Sequence, residues 1–187
     1  MSSRIKRERD GVVTLTLGTI EIEVVRRAFF DLLELFDSHQ EQGGPPAEIA
    51  PGIPDPFAAP GTGELPQDPA LARLLPDAYT DDKAAATEYR RFTENDLLAT
   101  KRANAGVVLA GLAEAERNGA IRLDGETVHM WLMALNDLRL ALGTRLDIAE
   151  DYEELIDSLE PDDPRLPSFA IYEWLTNLQE NLVQHAL

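Results

Sequence analysis

Six polar side chains stand where chemistry could be done. Arg90, Arg91 and Glu94 lie in the segment YRRFTEND, and Asn136, Asp137 and Arg139 lie in a stretch from 126 to 142 that is apolar nearly all round. A catalytic reading makes Asp137 a base and Arg91 an electrophile. A structural reading makes the six a buried polar network that fixes helix register, because a buried polar group without a partner costs about 1–3 kcal/mol. No nucleophile or metal-ligand set accompanies them, so the residues favour the structural reading.

The remaining candidates for chemistry are scattered. His39, His129 and His185 belong to no HxxxH or HExxH pattern, and a zinc site would require the fold to gather three distant segments. Surface or partly buried roles fit them better. With no cysteine, the chain has no disulfide, thiolate metal site or cysteine nucleophile. Gly61-Thr62-Gly63 is followed by no lysine and sits in no strand-to-helix unit, so it is not a phosphate loop. GxSxG, Walker and Rossmann patterns are missing. No cofactor is implied.

The stretch from Asp147 to Asp163 holds nine acids and no base. Tyr152, Leu155, Ile156 and Leu159 share one face of a short helix, which turns Glu150, Asp151, Glu153, Glu154 and Asp157 outward. Two readings stand: a solvated amphipathic helix, or a face that docks a basic protein and releases it in salt. The DxDxDG spacing of a calcium loop is not there.

Composition bounds the classes of function. The 187 residues suffice for one domain with a sizeable core, and 44% apolar with 27% charged residues is ordinary globular usage. A net charge of −17 would repel phosphate backbones over most of the surface, which argues against broad nucleic-acid binding. Arg4, Lys6, Arg7 and Arg9 make residues 1–10 a basic stretch, read here as a flexible tail. No apolar run is long enough to span a bilayer, and no apolar stretch follows the basic start as in a secretory signal. The expected location is cytoplasmic.

Periodicity supplies the elements that would position these residues. VVTLTL at 12–17 and Ala120 to Leu123 read as short strands that pair in a two-stranded ribbon, each running directly into a helix. The first helix covers about 20–38, with a wide apolar face from Ile22 to Phe36 and Phe30 nearer its polar side. From 39 to 68 the chain is rich in proline and glycine and reads as an extended loop within one domain, residues 11–187. Asp68-Pro69 caps a short helix to Leu75. A helix runs from about 81 to 92, Thr93 and Asp96 resemble a capping box that starts another, and Asn118-Gly119 ends it. The helix at 126–142 is apolar enough to be central, and a last helix spans about 168–186. The fold class is mostly α: a compact helical bundle around a central helix with a small ribbon.

Four segments carry a resemblance. Pro69 to Tyr79 (PALARLLPDAY), Tyr89 to Leu97 (YRRFTENDL), Trp131 to Leu146 (WLMALNDLRLALGTRL) and Tyr172 to Glu180 (YEWLTNLQE) together resemble an actinobacterial domain-of-unknown-function family that includes AosR-type oxidative-stress regulators. The resemblance implies a helical regulator that acts by binding proteins, a stress sigma factor or RNA polymerase among them, and that tends to be encoded near a protease adaptor. The redox-sensing version relies on a cysteine pair, so no thiol switch can operate here. Three functions remain on the page: a protein-binding regulator without enzymatic activity, an enzyme built around Arg91, Asp137 and Arg139, and a homo-oligomeric structural protein joined through Phe30 or Trp174. A homodimer fits the first as well as the third. The first is favoured.

Overall fold

Each short apolar run becomes a strand that feeds a helix within a few residues. The computed structural model describes residues 3–42, 48–50, 53–54, 63–149 and 152–186. Its elements begin with β1 (Arg4–Arg7), β2 (Val13–Thr16) and α1 (Thr19–Gln42). A small hairpin of β3 (Glu48–Ala50) and β4 (Ile53–Pro54) comes next, then α2 (Pro69–Leu74) and α3 (Lys83–Asn118). β5 (Ile121–Leu123) leads into α4 (Gly125–Arg145), followed by α5 (Tyr152–Asp157) and α6 (Leu166–Ala186). The chain is mostly α with a small β element.

β2 and β5 pair antiparallel, with Val13 opposite Leu123 and Leu15 opposite Ile121, and alternation sends all four side chains into the core. The expected two-stranded ribbon gains a third strand. β1 pairs with the other edge of β2, Arg4 opposite Thr16 and Arg7 opposite Val13. The stretch read as a flexible tail is thus ordered from Arg4 to Arg7. Of its residues, Ile5 packs against the core, which leaves no apolar alternation to announce the strand. Its bases suit an outer edge, where charge discourages further strand pairing. The Pro/Gly-rich region also holds more order than its composition suggests, namely the β3–β4 hairpin.

Helix ends follow local chemistry. Asp68 accepts from the Ala70 and Leu71 amides at 2.8 and 3.2 Å, Asp82 from Ala85 at 3.0 Å, and Asp124 from Thr127 at 2.8 Å. At the start of α1, the Glu21 carboxylate reaches back to the Gly18 amide at 2.6 Å. Gly119 ends α3 in the left-handed conformation, φ 79°, donating to the Ala115 carbonyl at 2.7 Å. The proposed break at Thr93 does not occur. α3 runs unbroken through it, and the Thr93 hydroxyl donates to the Tyr89 carbonyl at 3.0 Å, as a threonine does inside a helix.

α4 is the central helix, packed against α2, α3 and α6 and more sparsely against α1. Trp131, Leu135 and Ala134 are fully buried on it. The close approach of α3 rests on Gly111, where a Cβ would sit 2.9 Å from Trp131 Cζ2 and 3.2 Å from Ile121 Cγ2. Among the described residues, no helix is long and apolar enough to cross a membrane.

Candidate functional site

The six polar residues do not form one network. Four of them divide among three junctions, each joining a different pair of elements. Asp137 faces α3 and is buried, and its carboxylate accepts from Lys101 Nζ at 2.7 Å. Burial pushes the Asp137 pKa up, and the hydrogen bond and charge of Lys101 oppose that shift. The partners the sequence suggested, Arg90, Arg91 and Glu94, lie further up α3: Arg91 is ten positions from Lys101, about 15 Å along the axis.

Arg90 is buried and ties α3 to the segment after α2. Its guanidinium donates to the Leu75 carbonyl at 2.8 Å, to Asp77 at 2.7 Å and to Glu94 at 3.1 Å. Glu94 also meets His39 Nε2 at 2.9 Å, so the cluster reaches the end of α1. Arg91 is exposed, and its stem lies beside Gly63, where a Cβ would come within 2.5 Å of both Arg91 Cγ and the Thr87 carbonyl oxygen. With φ 73° as well, that position takes glycine alone. The second glycine of Gly61-Thr62-Gly63 therefore lets the returning loop pass close over α3.

Arg139 turns to α6. It donates to Thr176 at 2.9 Å and Gln179 at 2.8 Å, and its guanidinium lies 5.5 Å from the centre of the Tyr172 ring. Tyr172 in turn meets Tyr152 edge-to-face at 6.1 Å, which anchors α5. Asn136, half-buried, sits between these junctions on α4. Arg91, Asp137 and Arg139 thus point to different neighbours and do not converge on a shared cavity.

Of the acidic face, Asp157 is exposed at the end of α5. Glu150, Asp151 and the side chains of Glu153 and Glu154 lie outside the described residues. His129 is exposed and His185 Nδ1 donates to the Asn181 carbonyl at 2.7 Å; no three described metal-ligating side chains come together. Phe30 is exposed as read, whereas Trp174 is buried and presents no interface.

Sequence reasoning missed an open groove of about 800 Å³ between α1 and the C-terminal half of α4, closed at one end by the start of α6. Its floor includes Val24, Ala28, Leu35, Leu138, Leu142 and Ile171. The wide apolar face of α1 was legible in the sequence, but not that the neighbouring helices leave part of it open. At the α4 end, Arg145 pairs with the capping Asp68 at 2.6 Å. Burial works against ionisation of Asp68, but Arg145 and the two amides outweigh it and hold the pKa below the usual range.

A helical bundle with structural polar junctions, and with no catalytic set assembled among the described residues, defines a class of fold more than an activity. The family described as a domain of unknown function (DUF2017) matches residues 2–186, and the chain belongs to it. A Mycobacterium leprae protein is 38% identical over 136 residues, 66% of this chain and 60% of that protein. Proteins of Mycobacterium bovis and Mycobacterium tuberculosis are 35% identical over the same lengths and shares. The latter two carry the name oxidative stress regulator AosR, and the first carries it in provisional form. The match spans 60% of the length of these relatives. No solved structure matches the chain.

Proposed function

We propose that this chain is a regulatory protein that acts by binding another protein, without chemistry of its own, in a stress response. The observation that carries the reading is kinship with proteins named oxidative stress regulators. The separation of Arg91, Asp137 and Arg139 supports it: Asp137 ties α4 to α3, Arg139 ties α4 to α6, and Arg91 lies exposed on α3 away from both. The acid-rich connection 147–163 offers a basic partner an attractive field that would speed encounter and weaken in salt. A sigma factor or RNA polymerase is the partner the family resemblance suggests. With no cysteine, the trigger is not a thiol.

The test is a crosslinking pull-down from native cytoplasm at low and high salt, beside a variant with Glu150, Asp151, Glu153, Glu154 and Asp157 reversed to lysine. A partner retained at low salt and lost on both salt and reversal is the expected result. The same partners retained in every condition would remove the acidic face from the account. No specific partner in any condition would overturn the reading.

A further inference from the structure

The groove between α1 and α4 is an apolar surface with an acidic border, and its length is that of a four-turn helix. On α1 it runs from Glu23 to Ser38, about 22 Å or four turns. Val24, Ala28 and Leu35 project from one side, and Leu138, Leu142 and Ile171 from the other. An amphipathic helix laid in a groove is read through anchors at i, i+3, i+4 and i+7, which matches the spacing of side chains along both walls.

The rim decides what sort of helix. Its two arginines are already neutralised within the chain: Arg27 pairs with Asp31 at 2.9 Å, and Arg145 with Asp68 at 2.6 Å. Glu23 shares Arg26 with Glu116, leaving two carboxylates on one guanidinium. Glu34 is exposed on the rim and has no ion-pair partner among the described residues. The uncompensated charge around this apolar floor is therefore negative. A second copy of the chain, at −17, would meet that rim with like charge.

We propose that the groove between α1 and the C-terminal half of α4 is the docking site for a partner's amphipathic helix whose apolar stripe is flanked by lysine or arginine. The proposal rests on the protein-binding reading above and specifies its surface. Apolar anchors supply affinity in the groove, and the basic flanks meet Glu34 and Glu23.

The test uses the full chain and a labelled synthetic helix of about 16 residues, with leucines at i, i+3, i+4 and i+7 and lysines on both flanks. A matched helix carries glutamates in place of the lysines. Binding is followed by fluorescence anisotropy. The lysine-flanked helix is expected to bind, the glutamate-flanked one at least about tenfold more weakly, a free-energy difference of about 1.4 kcal/mol. Ala28→Arg, which fills the floor, and Glu34→Lys, which reverses the rim, should each weaken binding by a similar factor while thermal melting stays unchanged. Equal binding of both helices would overturn the basic partner. Failure of both helices to bind, or binding indifferent to Ala28→Arg and Glu34→Lys, would overturn the groove. Concentration-dependent dimerisation in light scattering that Ala28→Arg abolishes would assign the groove to a second copy and overturn the proposal. If the peptide fails while the pull-down still yields a salt-sensitive partner, the groove alone falls; if the pull-down also yields none, the protein-binding reading falls with it.

Discussion

Toward α3, the central helix α4 is sealed: Trp131 and Leu135 are fully buried, Gly111 admits the indole at close range, and Asp137 is locked to Lys101. Toward α1, the same helix turns Leu138, Leu142 and Arg145 to an open groove. Both flanks are rich in aliphatic side chains, so hydrophobicity alone does not separate them. What differs is whether a partner element within the chain comes close enough to cover them. The sealed flank is where substitutions should cost stability, and the open flank is where they should cost binding.

The largest effect is expected at the buried pair. Lys101→Met leaves the Asp137 carboxylate buried without its cation and should destabilise the fold by about 3–5 kcal/mol in urea unfolding. Lys101→Met combined with Asp137→Leu removes both charges and should recover most of that loss. If the double variant is as unstable as the single one, the pair is not what seals this flank.

The pH dependence sharpens the same point. The Asp137 pKa lies above its ordinary 3.8 in the folded chain, so the folded state binds the proton more readily than the unfolded state does. Its contribution to stability is therefore greatest at acidic pH and declines as pH rises from about that value through the raised folded one. The stability of the native chain relative to the double variant should fall as pH rises from the ordinary carboxyl value of 3.8 through the raised folded one. A flat difference would mean that burial does not perturb this carboxyl.

A smaller loss is expected from Gly111→Ala. Its methyl would press on Trp131 and Ile121, and overpacking of this kind costs about 1–3 kcal/mol. Smaller again is Asp68→Ala, which removes the cap of α2 and the tie to Arg145 at the end of the groove; about 1 kcal/mol is expected by thermal unfolding. On the open flank, Ala28→Arg should stay within about 0.5 kcal/mol of the native chain, as surface substitutions do. A loss as large as that of Gly111→Ala would show that the groove is covered from within.

Much of this contrast was legible in the residues. The period of Ile22 to Phe36, the all-round apolar character of 126–142, the Asp68-Pro69 cap and the Gly119 terminus are local signals, and local signals survived folding. The pairing of β2 with β5 was legible too, since both strands alternate. What was not legible depended on longer range or on competing local chemistry. Thr93 and Asp96 have the form of a capping box, but a threonine hydroxyl is equally at home on the carbonyl one turn back, and nothing within YRRFTEND decides between them. β1 carries bases where a strand signal would be apolar. The acid at 137 needed a cation, yet that cation is Lys101, 36 positions away, while Arg90 of YRRFTEND is taken by Asp77, Glu94 and the Leu75 carbonyl. The width of the α1 face showed that something covers it, not that part of the cover is missing.

The most direct measurement places a photocrosslinking side chain at position 34, on the groove rim, and in a second protein at position 126, exposed at the opposite end of α4. Each is irradiated in extract of the native cells at low and high salt. The account predicts an adduct with a discrete protein through position 34, lost in high salt, and none through position 126. Adducts through 126 alone, or equal adducts at both positions, would contradict it.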